Sequence, residues 1–142
     1  MDQQGRGASI LFWLHQAYFG LRQDMARGFK EAGYPLSTEQ WSILADLWQF
    51  GRSNQSEIAK RTGRDAPAIT RLLSGLEEEG LLEREPVDRR TNNVELTKRG
   101  KELHRLLAPI FQQIVDQRLA EFSDEETQNA YKILRSIAQG RN

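Results

Sequence analysis

The stretch Asp88 to Gly100 reads DRRTNNVELTKRG. Val94 and Leu96 alternate with Asn93 and Glu95, the period-two signature of a half-buried strand, while Asp88 to Thr91 and Asn92 supply polar turn chemistry. The segment predicts a β-hairpin with arginines at its tip, whose second strand runs straight into a helix capped by Thr97. Such a hairpin is a wing. Arg89 and Arg90 at its tip form a thin cationic prong, a shape suited to a narrow electronegative slot such as the minor groove of DNA.

Upstream, Asn54 to Thr62 (NQSEIAKRT) predicts a short helix, with Asn54 as N-cap, Glu57 in the capping-box position and Gly63 where the helix must stop. A second helix follows at once. Asp65 caps it, Pro67 falls in its first turn where a missing N–H costs nothing, and Ile69, Leu72, Leu73 and Leu76 form its apolar stripe. Two helices joined only by Gly63 and Arg64 must cross steeply, which is a helix-turn-helix with the second helix as the reading element. Gln55, Arg64, Asp65, Pro67, Ala68, Thr70 and Arg71 are its candidate DNA-binding residues, joined by Asp88, Arg89 and Arg90 from the wing. Thr70 and Arg71 share a side with the helix start and reach phosphate or base edges.

The order of these parts, with LEEEGLLER closing the second helix and DRR followed by VELTKRG in the hairpin, resembles the MarR family of winged-helix transcriptional regulators along nearly the whole chain. Asp88, Arg90, Leu96 and Thr97 fill the family's wing pattern. The resemblance implies that Arg90 enters the minor groove and that Asp88 holds the wing in position. The chain departs from the family at Ala66, Pro67 and Ala68, where small hydroxyl or amide residues are usual. Fewer direct base hydrogen bonds are then available, and thymine-methyl contacts and DNA shape carry more of the specificity.

The 142 residues fit one ordinary domain, and 20 Lys+Arg balance 20 Asp+Glu, so overall charge says nothing for nucleic acid. Its distribution does. Arg52 to Arg71 holds five basic residues against two acidic, and Arg84 to Lys101 six against three, so each segment is net +3. Glu77, Glu78 and Glu79 fall at the far end of the reading helix, away from phosphates if its N-terminal end enters the groove. With no cysteine, disulfides, zinc-thiolate sites and thiol redox sensing are excluded. No apolar run approaches the roughly 20 residues of a membrane span, and the N-terminus lacks the pattern of a signal peptide, so a soluble cytoplasmic protein is expected.

Long helices flank the winged unit. From Ser9 to Ala32, Ile10, Leu14, Tyr18, Leu21, Met25 and Phe29 recur on one face. After Thr97, Leu103, Leu106, Leu107, Ile110, Phe111, Ile114, Val115, Leu119 and Phe122 continue a helical pattern through Pro109, which is expected to kink or divide it. A last helix, capped by Ser123 with Glu126 in the box position, is expected to bury Ala130, Ile133, Leu134 and Ile137. These apolar faces exceed what a small core covers. The expected fold is therefore mainly α with a small β-wing: a single domain over 1–142, with 1–35 and 101–142 as dimerisation helices and 36–100 as a winged helix-turn-helix lobe. Its homodimer suits a pseudo-palindromic operator with half-sites one helical turn apart.

The helix Thr38 to Phe50, capped by Ser37 with Gln40 in the box, carries Trp41, Leu44, Leu47 and Trp48 as expected core. The family resemblance also implies a crevice for small aromatic or phenolic effectors between the dimer helices and the DNA-binding lobe. Trp13, His15, Tyr18, Trp41 and Trp48 are candidates to line it, with His15 or Arg105 reading an effector's negative charge. Nothing in the chain marks an enzyme: there is no nucleophile elbow, phosphate loop, metalloprotease helix or dinucleotide fingerprint. No cofactor is expected, and no metal, since His15 and His104 lie far apart without clustered carboxylates. The expected function is a repressor released by an effector. The alternative is a winged-helix module for protein contacts that does not bind DNA specifically.

Overall fold

Ser37, Asn54, Asp65, Thr97 and Ser123 each accept a hydrogen bond from the backbone N–H three residues on, and each begins a helix. The computed structural model describes residues 3–89 and 91–140. In chain order its elements are α1 (Gln3–Glu31), α2 (Thr38–Phe50), β1 (Ser53–Asn54), α3 (Gln55–Thr62), α4 (Ala66–Glu78), β2 (Leu82–Pro86), β3 (Asn92–Leu96), α5 (Lys98–Leu119) and α6 (Asp124–Gln139). Among the described residues no helix is long and apolar enough to cross a membrane.

The turn between α3 and α4 closes as the sequence requires. Gly63 adopts φ +68°, the left-handed region that its missing Cβ permits, and donates its N–H to the Ala59 carbonyl. Ile58, Ile69, Leu73 and Leu76 are then buried against Ile43, Leu44 and Leu47 of α2. Each such side chain contributes roughly 1.5–3 kcal/mol relative to exposure. Phe29 and Met25 of α1 and Leu103 and Leu107 of α5 extend the same core towards the flanking helices.

The sheet has the order β1-β3-β2 and is antiparallel throughout, with Leu82 opposite Leu96, Arg84 opposite Val94 and Ser53 also opposite Val94. Val94 is fully buried and Leu96 nearly so, while Glu95 between them is exposed, so the expected alternation holds. The LTKRG run explains how the hairpin is anchored. Thr97 donates its N–H to the Leu81 carbonyl (3.1 Å) and its hydroxyl to the Gly80 carbonyl (2.6 Å), while its Oγ1 accepts from Gly100 N–H (3.1 Å). Gly100 is buried where α5 passes so close to the Leu81 backbone that a β-carbon would collide with the Leu81 carbonyl.

Four expectations need correcting. The first helix begins at Gln3, not Ser9, and α5 runs unbroken through Pro109. Trp48 is 41% exposed, unlike its buried neighbours Trp41, Leu44 and Leu47, because it stands at the edge of an open cleft. Helix α6 buries none of its residues within the protomer; Ile133 is 59% exposed, with Leu134 and Ile137 exposed beside it. Ile10, Leu11, Phe12 and Trp13 of α1 are exposed as well. An amphipathic helix with no partner on its apolar face has nothing in its own chain to cover it.

Gly100→Ala is expected to destabilise the protein by at least about 1–3 kcal/mol, because the clash is with backbone that cannot rotate away. Urea unfolding of the two proteins checks this, and an unchanged midpoint would contradict the close approach.

Candidate nucleic-acid interface

Helix α4 buries Ile69, Leu73 and Leu76, which leaves Pro67, Thr70 and Arg71 exposed on the opposite side of its N-terminal half. Asp65 accepts from Ala68 N–H at 2.8 Å and is itself exposed. Ala68 is half-buried. Gln55, at the start of α3, joins the reading helix to the wing: Asn92 Nδ2 donates to Gln55 Oε1 (3.1 Å), and Gln55 Nε2 reaches Thr70 Oγ1 (3.5 Å). Gln55, Thr70 and Arg71 therefore stand on one continuous face with the base of β3.

The wing tip is organised by Asp88, whose Oδ1 accepts from Thr91 N–H at 2.8 Å, while Val87 N–H donates to the Thr91 carbonyl at 2.9 Å. Arg89 is exposed at this tip. Arg90 lies outside the described residues. Arg84 fixes the stem of the hairpin to α4. Its Nη2 donates to Glu77 Oε1 (2.9 Å) and Ser74 Oγ (3.2 Å), and its backbone N–H donates to Glu77 Oε2 (3.0 Å). The side-chain hydrogen bond from Arg84 holds the Glu77 carboxyl below the usual carboxylate range, against a smaller opposing effect of burial. The reading helix and wing are thus clamped into one body.

Arg64 takes a different position from the one its place in the turn suggests. Its guanidinium folds back to α2, where Nη2 donates to Ser42 Oγ at 3.2 Å, and its buried Nε has no partner among the described residues. Arg61 is also turned inward: Nε and Nη2 grip Asp46 at 3.0 and 2.8 Å, Nη2 donates to Ser53 Oγ at 2.7 Å, and the guanidinium lies 4.5 Å from the Phe50 ring centroid. Asp46 is only 8% exposed. An acid inside the apolar run ILADLW is the sequence signal for such a partner, since a buried carboxylate needs one.

A cleft of about 1100 Å³ opens between α1, α2, α3 and α5. Tyr18, Trp41 and Trp48 line it, as do Leu21, Met25 and Phe111, with Arg22, Asp46 and Arg61 among its charged groups. Trp13 and His15 do not reach it: Trp13 is 64% exposed and packs edge-on against Phe12, and His15 lies near Phe19. Arg105 stacks on Trp48 at 5.2 Å and borders a separate pocket with Arg52 and Lys101. The residue that sequence reasoning missed is His104. It is buried between the indoles of Trp41 (ring centroids 5.1 Å apart, interplanar 5°) and Trp48 (4.3 Å, 14°), and it lines the cleft. Its signal was its place in the stripe His104, Leu107, Phe111. Burial lowers the His104 pKa from the ordinary 6.5, and the neighbouring Arg105 charge lowers it further.

Residues 36–91 match the model of the MarR family. The chain is 30% identical over 107 residues to the Bacillus subtilis HTH-type transcriptional regulator YwoH, itself uncharacterised, covering 75% of this chain and 78% of that one. Among solved structures, PcaV from Streptomyces coelicolor in complex with its natural ligand superposes with TM-score 0.81 at 23% identity, over 99% of this chain and 96% of that one. NadR in complex with 4-hydroxyphenylacetate superposes with TM-score 0.78 at 24% identity, over 99% and 100%. At these identities the two structures establish the likeness of fold.

Because the folded protein binds the His104 proton less well than the unfolded chain does, stability falls as pH drops below about 6.5 towards the lowered value, and is unaffected by this group above it. Thermal unfolding between pH 7.5 and 5 is expected to show this slope, and His104→Phe to flatten it. The carboxyls of Asp24, held low by the hydrogen bond from Arg118 (2.7 Å), and of Glu77 act in a separate window, at and below the ordinary carboxylate values. An equal slope in both proteins would contradict the burial of a neutral His104.

Proposed function

The chain belongs to the MarR family, and on that premise we propose that this transcriptional regulator is a repressor that binds a pseudo-palindromic operator as a homodimer and is released by a small aromatic or phenolic effector. The observation that carries the reading is the face on which half-buried Gln55 links exposed Thr70 and Arg71 to the wing, with the hairpin fixed to α4 by the Arg84–Glu77 clamp. In this reading the N-terminal half of α4 lies in the major groove, where the apolar surface of Pro67 and Ala68 meets thymine methyls and Arg71 meets a guanine or phosphate. The wing lies over the adjacent minor groove, led by Arg89 and Arg90. Arg64 contributes by bracing the turn against α2, since its guanidinium is bonded to Ser42.

Residues 1–35 and 101–142 form the dimer base. The exposed apolar faces of α6 and of the first half of α1 support this, because together they leave Ile10, Phe12, Trp13, Ile133, Leu134 and Ile137 in water in a lone protomer. The cleft lies between these base helices and α2 and α3 of the winged lobe. A ligand there represses or relieves only through a difference in affinity for two lobe separations, of which one matches the half-site spacing. The ligand-bound states of PcaV and NadR support an effector of this kind.

The direct test is a mobility-shift series on an operator recovered by sequencing the genomic DNA that the purified protein retains. Arg71→Ala, Arg89→Ala and Arg90→Ala are each expected to weaken operator binding by roughly 1–3 kcal/mol, and affinity to fall steeply with salt. Unchanged affinity in all three would place the DNA surface elsewhere, and failure to bind any duplex at low salt would favour a protein-contact module. Sedimentation of the wild type is expected to give a dimer, and Leu134→Glu a monomer with weakened operator binding. A wild-type monomer at micromolar concentration would contradict the dimer base.

A further inference from the structure

Trp41, His104, Trp48 and Arg105 form one column, alternating between α2 and α5 across the seam between the winged lobe and the base. The two indoles cover both faces of the imidazole, so only its edge is left to interact. Nδ1 is buried there with no partner among the described residues, and so is Oγ1 of Thr38, another residue of the cleft wall. A buried polar atom without a partner calls for a water or a ligand group. The remaining wall offers aromatic and aliphatic surface to a flat ring, from Leu21, Met25, Trp41 and Phe111.

The charges that face this space come from every side. Tyr18 and Arg22 approach from α1, with Glu39 3.3 Å from Arg22; Asp46 comes from α2 and Arg61 from α3, bonded to each other; Arg105 flanks the outer face of Trp48 on α5. Arg22 is paired with Glu39 and Arg61 with Asp46, so the lining arginines are each already matched by a carboxylate. Histidine is the only side chain of this set that ordinarily changes charge between pH 5 and 8.

We propose that His104 is the specificity-determining residue of the cleft: it selects planar aromatic acids bound as monoanions, and accepts one proton from solvent as the carboxylate oxygen meets the edge of its ring. This rests on the effector reading above and deepens it. No covalent bond changes in the step. The ligand arrives as carboxylate, the proton passes from water or buffer to the imidazole, and the product is an imidazolium–carboxylate hydrogen bond of the charge-assisted kind. Burial, and after it the Arg105 charge, disfavour the protonated ring. Once an anion is present, the faces of the two indoles favour the cation between them. The site is therefore poised, with its aromatic clamp already built.

The test uses benzoate, 4-hydroxybenzoate and 4-hydroxyphenylacetate, each beside its uncharged amide, with binding followed by tryptophan fluorescence and by calorimetry in buffers of different ionisation enthalpy. The expected result is that at least one acid binds and its amide binds at least tenfold more weakly. Net proton uptake is expected on acid binding near pH 6.5, and acid affinity to fall by up to about tenfold per pH unit on the alkaline side. His104→Phe keeps a ring between the indoles and is expected to abolish both the uptake and the preference for acid over amide; His104→Gln does the same should the phenyl variant fold poorly. Acids and amides that bind alike, or acid binding with no proton uptake, would overturn the role of His104 and leave the effector reading standing. Failure of every acid and amide to bind at millimolar concentration would overturn both.

Discussion

Leu81 is the point at which the molecule is pinned. Its carbonyl accepts the N–H of Thr97, α5 crosses it at Gly100 with no room for a β-carbon, and its side chain is buried. For α4 and the hairpin to engage adjacent grooves of one duplex, as proposed, their separation must be held fixed. The junction at Leu81 sets that separation at one end of the hairpin, and the bonds of Arg84 to Ser74 and Glu77 set it along the stem. The same junction starts α5, the helix that carries His104 and runs on into the proposed base. The hairpin, the end of α4 and the start of α5 therefore meet at one tightly packed junction.

Charge in this protein is spent in two distinct ways. In Arg52 to Arg71, three of the five cations face inward or sideways: Arg52 pairs with Glu85, Arg61 with Asp46, and Arg64 binds Ser42. Arg84 and Arg118 are likewise engaged, with Glu77 and Asp24. A local net charge of +3 therefore overstates the field available to phosphate. What remains outward on the proposed DNA face is concentrated at Arg71 and at the wing tip. A small number of well-placed cations on a rigid frame gives a binding surface whose specificity depends more on geometry than on total attraction.

The legible parts of the fold were those written in local rules. Caps at Ser37, Asn54, Asp65, Thr97 and Ser123, the left-handed Gly63 and the alternation around Val94 are each dictated within a few residues, and each stands in the structure. Strand β1 could not be read, because two residues, Ser53 and Asn54, hold no periodicity and pair only with a distant strand. Pro109 leaves α5 whole: its missing N–H and the packing of Leu107, Ile110 and Ile114 on either side are matters of tertiary context. Of the cleft, Tyr18, Trp41 and Trp48 were visible as aromatics at helical spacing, whereas Trp13 and His15 sit too far along α1 to reach it. His104 and the Asp46–Arg61 pair were hidden for a common reason. A polar residue in an apolar stripe announces that it needs a partner without saying which, and the partner lies on another helix.

The proposed dimer holds DNA by a paired grip of fixed spacing. Hydroxyl-radical footprinting of the complex, on an operator fragment taken from the protein's own genome, reads that spacing directly. The expected pattern is protection on one face of the duplex, repeated at about 10 to 10.5 base pairs and symmetric about the operator centre, with the outermost patches in the minor groove. A single protected patch, or continuous protection without that period, would contradict it.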